Sequence, residues 1–141
     1  TKRTTLMATT AYTDNQVFTT PLANVYCNAI ITSLQQEEND GLIINSVFAL
    51  TGSAARIIQG QEAAEVQNIA FITSSSFVFN FLSANIKTIL PAVDVIRREG
   101  IIQFKASGFY FEIHLASQTR TINNVDGVYV QDINEIPNYI L

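Results

Sequence analysis

The spacing of apolar residues changes near residue 91. Before that point they recur at helical intervals or in short solid runs; beyond it they alternate with polar residues. The stretch "TTPLANVYCNAIITSLQQEEN" sets Leu22, Val25, Tyr26, Ala29, Ile30 and Leu34 at i, i+3, i+4 intervals. That pattern predicts an amphipathic helix with this stripe turned inward. Thr20 is placed to cap it, Pro21 suits its first turn, and Asp40-Gly41 stops it. "LIINSVFAL", 42–50, is a mostly apolar run of strand length and predicts a strand covered on both faces. Gly52-Ser53 then turns the chain into a short helix, "AARIIQ", and "VQNIAFIT" reads as a second strand. Ser75 or Ser76 caps a helix over 77–90, with Val78, Phe81, Leu82, Ile86 and Ile89 on one side and Pro91 as its stop.

From residue 92 the period is two. "AVDVIRR", "IIQFKA" and "FYFEIHLA" predict strands joined by the hairpin signals Glu99-Gly100 and Ser107-Gly108. In the third of them Phe109, Phe111, Ile113 and Leu115 face one way, and Tyr110, Glu112 and His114 face the other. "GVYVQD" predicts one more strand, and "INEIPNYIL" a terminal helical turn opened by Asp132. Residues 1–19 are Thr-rich with scattered apolar positions, which predicts an extended arm; 20–141 read as a single domain. This order of elements predicts an α+β fold, a mixed sheet with helices mainly on one face.

Composition narrows the function classes. With 141 residues, 48% of them hydrophobic and 14% charged, the chain can bury a core without metal or disulfides. A surface so poor in charge hints that part of it is covered by a partner. The net charge of -4, with dispersed basic residues, argues against a nucleic-acid partner. No apolar run approaches the roughly 18 residues that span a membrane, and "TKRTTLMATTAYTDNQ" holds no sustained apolar stretch of a signal peptide. Cys27 is the only cysteine, so no internal disulfide forms. A cytoplasmic protein, or part of a virion assembled there, is the expectation.

Few residues bear chemistry. Gly52 and Ser53 are a weak ligand-binding candidate, since amides at a helix N-terminus can hold a phosphate; the plainer reading is that Gly makes the turn and Ser caps the helix. Glu112 and His114, two apart on one strand face, suit acid–base work or a metal, but a solvated polar face explains them more simply. Arg97-Arg98-Glu99-Gly100 reads as a charged hairpin end before it reads as an anion clamp, and Cys27 as a small core residue. No Cys-His or Ser-His-Asp order supports nucleophilic catalysis.

The stretch from Phe48 to Thr73, with "FYFEIHL" and "VDGVYVQDINEIPNYIL", resembles the nucleotidyltransferase superfamily, most of all its small bacterial antitoxin and abortive-infection members. In that resemblance Leu50-Thr51-Gly52-Ser53 stands for the Gly-Ser that ends the first strand. The acid-x-acid pair that opens the second strand falls on Asn68 and Ala70. Glu112 is the one acid matching a third carboxylate on a later strand. Magnesium needs several oxygen ligands, usually carboxylates with phosphates and water. One amide and one acid do not replace a pair of carboxylates, so no catalytic residue and no metal is assigned; Asn68 and Glu112 are vestigial candidates. A shifted register would put Glu65 and Gln67 at the two positions instead, and Glu62 lies in the same loop.

The expectation is a catalytically degenerate nucleotidyltransferase-like domain that needs no cofactor. It would act in binding or assembly, with the N-terminal arm contacting a protein partner or another copy, as a phage-encoded structural component does. The alternatives are an active magnesium-dependent nucleotidyltransferase and a regulatory module that holds a nucleotide without turning it over.

Overall fold

The computed structural model describes residues 11–14, 17–37, 47–60, 68–118 and 120–136. Among them four helices and seven strands form an α+β fold. The helices are α1 (Ala11–Asp14), α2 (Pro21–Glu37), α3 (Gly52–Ile58) and α4 (Ser76–Ile89). The strands are β1 (Phe48–Thr51), β2 (Asn68–Thr73), β3 (Val93–Arg98), β4 (Ile101–Ala106), β5 (Phe109–Leu115), β6 (Ile122–Val125) and β7 (Val128–Gln131). They make one mixed sheet in the order β3-β4-β5-β2-β1-β7-β6. The two crossings, β2 to β5 and β1 to β7, are parallel; the other neighbours are antiparallel.

Alternation within the strands sends the large apolar side chains to one face. Phe104 and Phe111 are cross-strand partners and stack with ring centroids 5.0 Å apart. Phe48 stacks on Phe71 at 4.9 Å. Helices close over these rings. Tyr26 of α2 meets Phe111 edge-on at 6.4 Å, and Tyr12 of α1 meets Phe71 at 6.5 Å. Val78, Leu82 and Ile86 of α4 join the same core. Stacked and edge-on aromatic pairs of this kind add about 0.5–1.5 kcal/mol beyond the area they bury.

Hairpins form at the expected Glu99-Gly100 and Ser107-Gly108 and also, unexpectedly, at Asp126-Gly127. Ser107-Gly108 and Asp126-Gly127 both take positive φ at both turn positions, as a two-residue hairpin turn requires. The Ser107 hydroxyl is also tied to the Tyr26 hydroxyl at 2.7 Å, which joins that turn to α2. The Ser75 side chain accepts from the Val78 N–H and caps α4.

Several expectations are corrected. The expected stripe of α2 holds at Tyr26, Ile30 and Leu34, but Leu22 and Val25 are exposed, and Ala23, Asn24 and Cys27 are buried instead. The Asn24 carboxamide is satisfied in that place. It accepts from the Phe18 N–H and donates to the Phe18 carbonyl at 2.9 Å, so a polar side chain sits inside with every bond made. Within the expected extended arm, residues 11–14 are helical, and Tyr12 and Phe18 are buried in the core. The rest of the arm, 1–10 with 15 and 16, lies outside the described residues, as do 42–46 of the expected first strand and 137–141 of the terminal segment. The strand β6 was not expected; it makes a hairpin with β7. The terminal turn is a 3-10 turn at Ile133–Glu135, opened by Asp132 as expected.

Candidate functional site

Strand pairing builds a straight row across the sheet on the face opposite the aromatic core. Its members in order are Ile96, Gln103, Glu112, Ala70 and Thr51, and the parallel register of β1 with β7 continues it to Gln131. Gln103 donates to Glu112 Oε2 at 3.2 Å. The Thr51 hydroxyl donates to Gln131 Oε1 at 2.6 Å. Between these two pairs stands Ala70, wholly buried, with nothing but a methyl group.

Glu112 is the hub of the first pair. Its Oε1 lies 2.8 Å from Nε2 of His114, which donates in the tautomer that carries its proton there. Tyr110 flanks the same carboxylate. Its phenol is held above the ordinary value, first by burial and then by the charge and hydrogen bond of Glu112, against a smaller lowering by Arg98. Both carboxylate oxygens are therefore engaged by internal donors. The expected solvated face is closed at this point, since Glu112 is 8% exposed.

Each candidate has its place. Asn68 is exposed at the start of β2 opposite Tyr110, and Ala70 follows opposite Glu112. The fold thus brings Asn68, Ala70 and Glu112 together. Gly52 makes the turn into α3 with φ 70, next to the end of the row. Ser53 does not cap that helix: the cap position is Thr51, and its hydroxyl is spent on Gln131 instead. The two arginines make no clamp, because alternation splits them. Arg97 donates to the Ser83 carbonyl and hydroxyl of α4, whereas Arg98 pairs with Ile101 on the Glu112 side. Cys27 is wholly buried and burial pushes its thiol up, so it stays a protonated core residue. Glu62, Glu65 and Gln67 lie outside the described residues.

The sequence did not point to a second polar cluster at the other end of the row. Gln59, just after α3, donates to the Gln131 carbonyl at 2.7 Å and accepts from Asn123 at 2.9 Å and from the Ile133 N–H at 3.2 Å. Asn123 also donates to Asp132, and the Glu135 carboxylate accepts from both the N–H and hydroxyl of Thr121. These bonds fasten the β6–β7 hairpin and the last turn to α3. Their donors lie 64 to 80 residues from their acceptors in several cases, so no local pattern shows them.

Among the described residues no three His, Cys, Asp or Glu side chains gather as metal ligands. No helix there is long and apolar enough to cross a membrane. The chain matches no family model, and no curated protein is similar to it. It is similar to one solved structure, a proposed nucleotidyltransferase from Thermotoga maritima. The two share 21% identity and a TM-score of 0.41, over 82% of this chain and 68% of that one.

Proposed function

We propose that this chain is a nucleotidyltransferase-like domain without catalytic acids, which works as a binding or assembly module. One observation supports it above the rest: Ala70 occupies the place between Glu112 and Thr51 where a metal-holding carboxylate would be needed. The one acid in the row already accepts from His114 and Gln103, and a single carboxylate is a poor ligand set for magnesium. Three positions carrying an amide, a methyl group and one hydrogen-bonded carboxylate do not fit a divalent cation. Fold alone does not carry an activity.

Isothermal titration with magnesium-ATP tests the reading, and no metal-dependent binding is expected. Submillimolar affinity abolished by EDTA, or nucleotide incorporation lost in Glu112→Ala, would overturn it. The assembly half rests on residues 1–10, a Thr-rich segment suited to strand pairing. Light scattering on the whole protein and on a variant lacking residues 1–10 tests it. That variant keeps Tyr12 and Phe18, which the core requires. A monomer in both cases removes the arm as a contact.

A further inference from the structure

We propose that β6 is a self-pairing edge, through which two copies join antiparallel about a two-fold axis at Asn123. The inference rests on the reading that this domain works by association, and it names the surface.

Among the described residues the sheet ends differently at its two sides. The outer strand β3 is guarded against strand addition: its register breaks between Val93 and Ile96, Asp94 has φ 55, and Arg97 and Arg98 close it. A bulge and edge charges are the usual means of preventing such pairing. At the other side β6 reads Ile-Asn-Asn-Val, uncharged, with unbroken register.

Hairpin geometry fixes which backbone groups of β6 are turned outward. In a two-residue hairpin the residues flanking the turn, Val125 and Val128, exchange hydrogen bonds, and every second pair after them does the same. Asn123 with Val130 follows, then Thr121 with Asp132, where the Asp132 N–H donates to the Thr121 carbonyl at 2.8 Å. The odd residues therefore face β7. The N–H and C=O groups of Ile122 and Asn124 face away from it.

An antiparallel partner must present groups of the same kind. A second β6 does so when Ile122 lies opposite the second copy's Asn124. Just beyond the strand, that register brings exposed Arg120 toward the second copy's Asp126-Gly127 turn, where exposed Asp126 stands, once at each end. A slip of two residues keeps the backbone bonds but sets Ile122 against Ile122 and Arg120 against Asn124, losing both charge contacts. Opposite charges in the favoured register and none in the slipped one select a single pairing.

Sedimentation of the full-length chain tests this across a concentration series. A dimer is expected, weakened about tenfold by Arg120→Glu, which turns two exposed ion pairs into like-charge contacts. Asp126→Asn, which keeps a residue tolerant of positive φ in the turn, relieves part of that loss when combined with Arg120→Glu. Amide exchange gives an independent readout: protection at Ile122 and Asn124, but not at Asn123 and Val125, rises with protein concentration. A dimer indifferent to these substitutions would sink the β6 interface and leave self-assembly standing. A monomer at every concentration would sink both.

Discussion

On one side of the central strands Phe48, Phe71, Phe104 and Phe111 stack in pairs beneath the helices. On the other, the same strands carry Thr51, Ala70, Glu112 and Ile72, buried nearly as deeply. The two faces share backbone and burial, yet they depend on different physics. The aromatic face is held by close packing, so it fails when atoms are removed. The polar face is held by matched donors and acceptors, so it fails when a charge is added or a partner is lost.

Four experiments press on that contrast. The largest effect belongs to Phe111→Ala, which should cost about 3–5 kcal/mol in denaturant unfolding, the usual range for a buried aromatic. Tyr110→Ala, next to it but half-buried on the other face, should cost clearly less. Equal losses would mean that both faces are packed alike.

Ala70→Asp comes next, at roughly 3 kcal/mol at neutral pH, because it buries a second carboxylate directly beside Glu112. Like charges so close raise the affinity for a shared proton in the folded state. The penalty should therefore grow as pH rises and shrink as acid neutralises one of the pair. Melting curves at pH 4 and pH 7 that show the same loss would contradict the row geometry.

Glu112→Ala should cost about 1–3 kcal/mol by leaving His114 and Gln103 without their acceptor. Glu112→Gln should cost less, since an amide oxygen still accepts from one of them. No change in either would show that the carboxylate is solvated.

The smallest effect is at alkaline pH. The Tyr110 phenol is raised in the folded state, so its contribution is full below the ordinary value of about 10 and is lost as pH rises through the folded one. The stability difference between wild type and Tyr110→Phe should stay constant below that point and change only above it, with wild type falling faster. A difference that holds constant through alkaline pH would assign the effect to packing instead.

Much of this molecule is legible in one dimension, for a stated reason. Helix α4 was readable because Ser75, the apolar spacing and Pro91 all act within a turn or two of each other. The inward and outward sides of β5 were readable because side chains alternate with a fixed period. By contrast β6 was missed, since Asn123 and Asn124 interrupt any apolar alternation and its strand character comes from pairing with β7. The burial of Asn24 in α2 is not legible because Asn counts as polar in a pattern, while its bonds to Phe18 exist only once the chain before it folds back.

For the candidate site the division is sharper. By itself the sequence determined that Asn68 and Ala70 share a strand face and that Glu112 and His114 share another, because period two is local. It also determined that charge is scarce and that positions 68 and 70 hold Asn and Ala. Only the tertiary structure decided that Ala70 stands beside Glu112, since that contact depends on a parallel register between strands some forty residues apart. The β4–β5 hairpin sets Gln103 opposite Glu112, and period two sets His114 beside it. Registers between distant strands are chosen by the packing of the whole sheet, and that choice has no local signature.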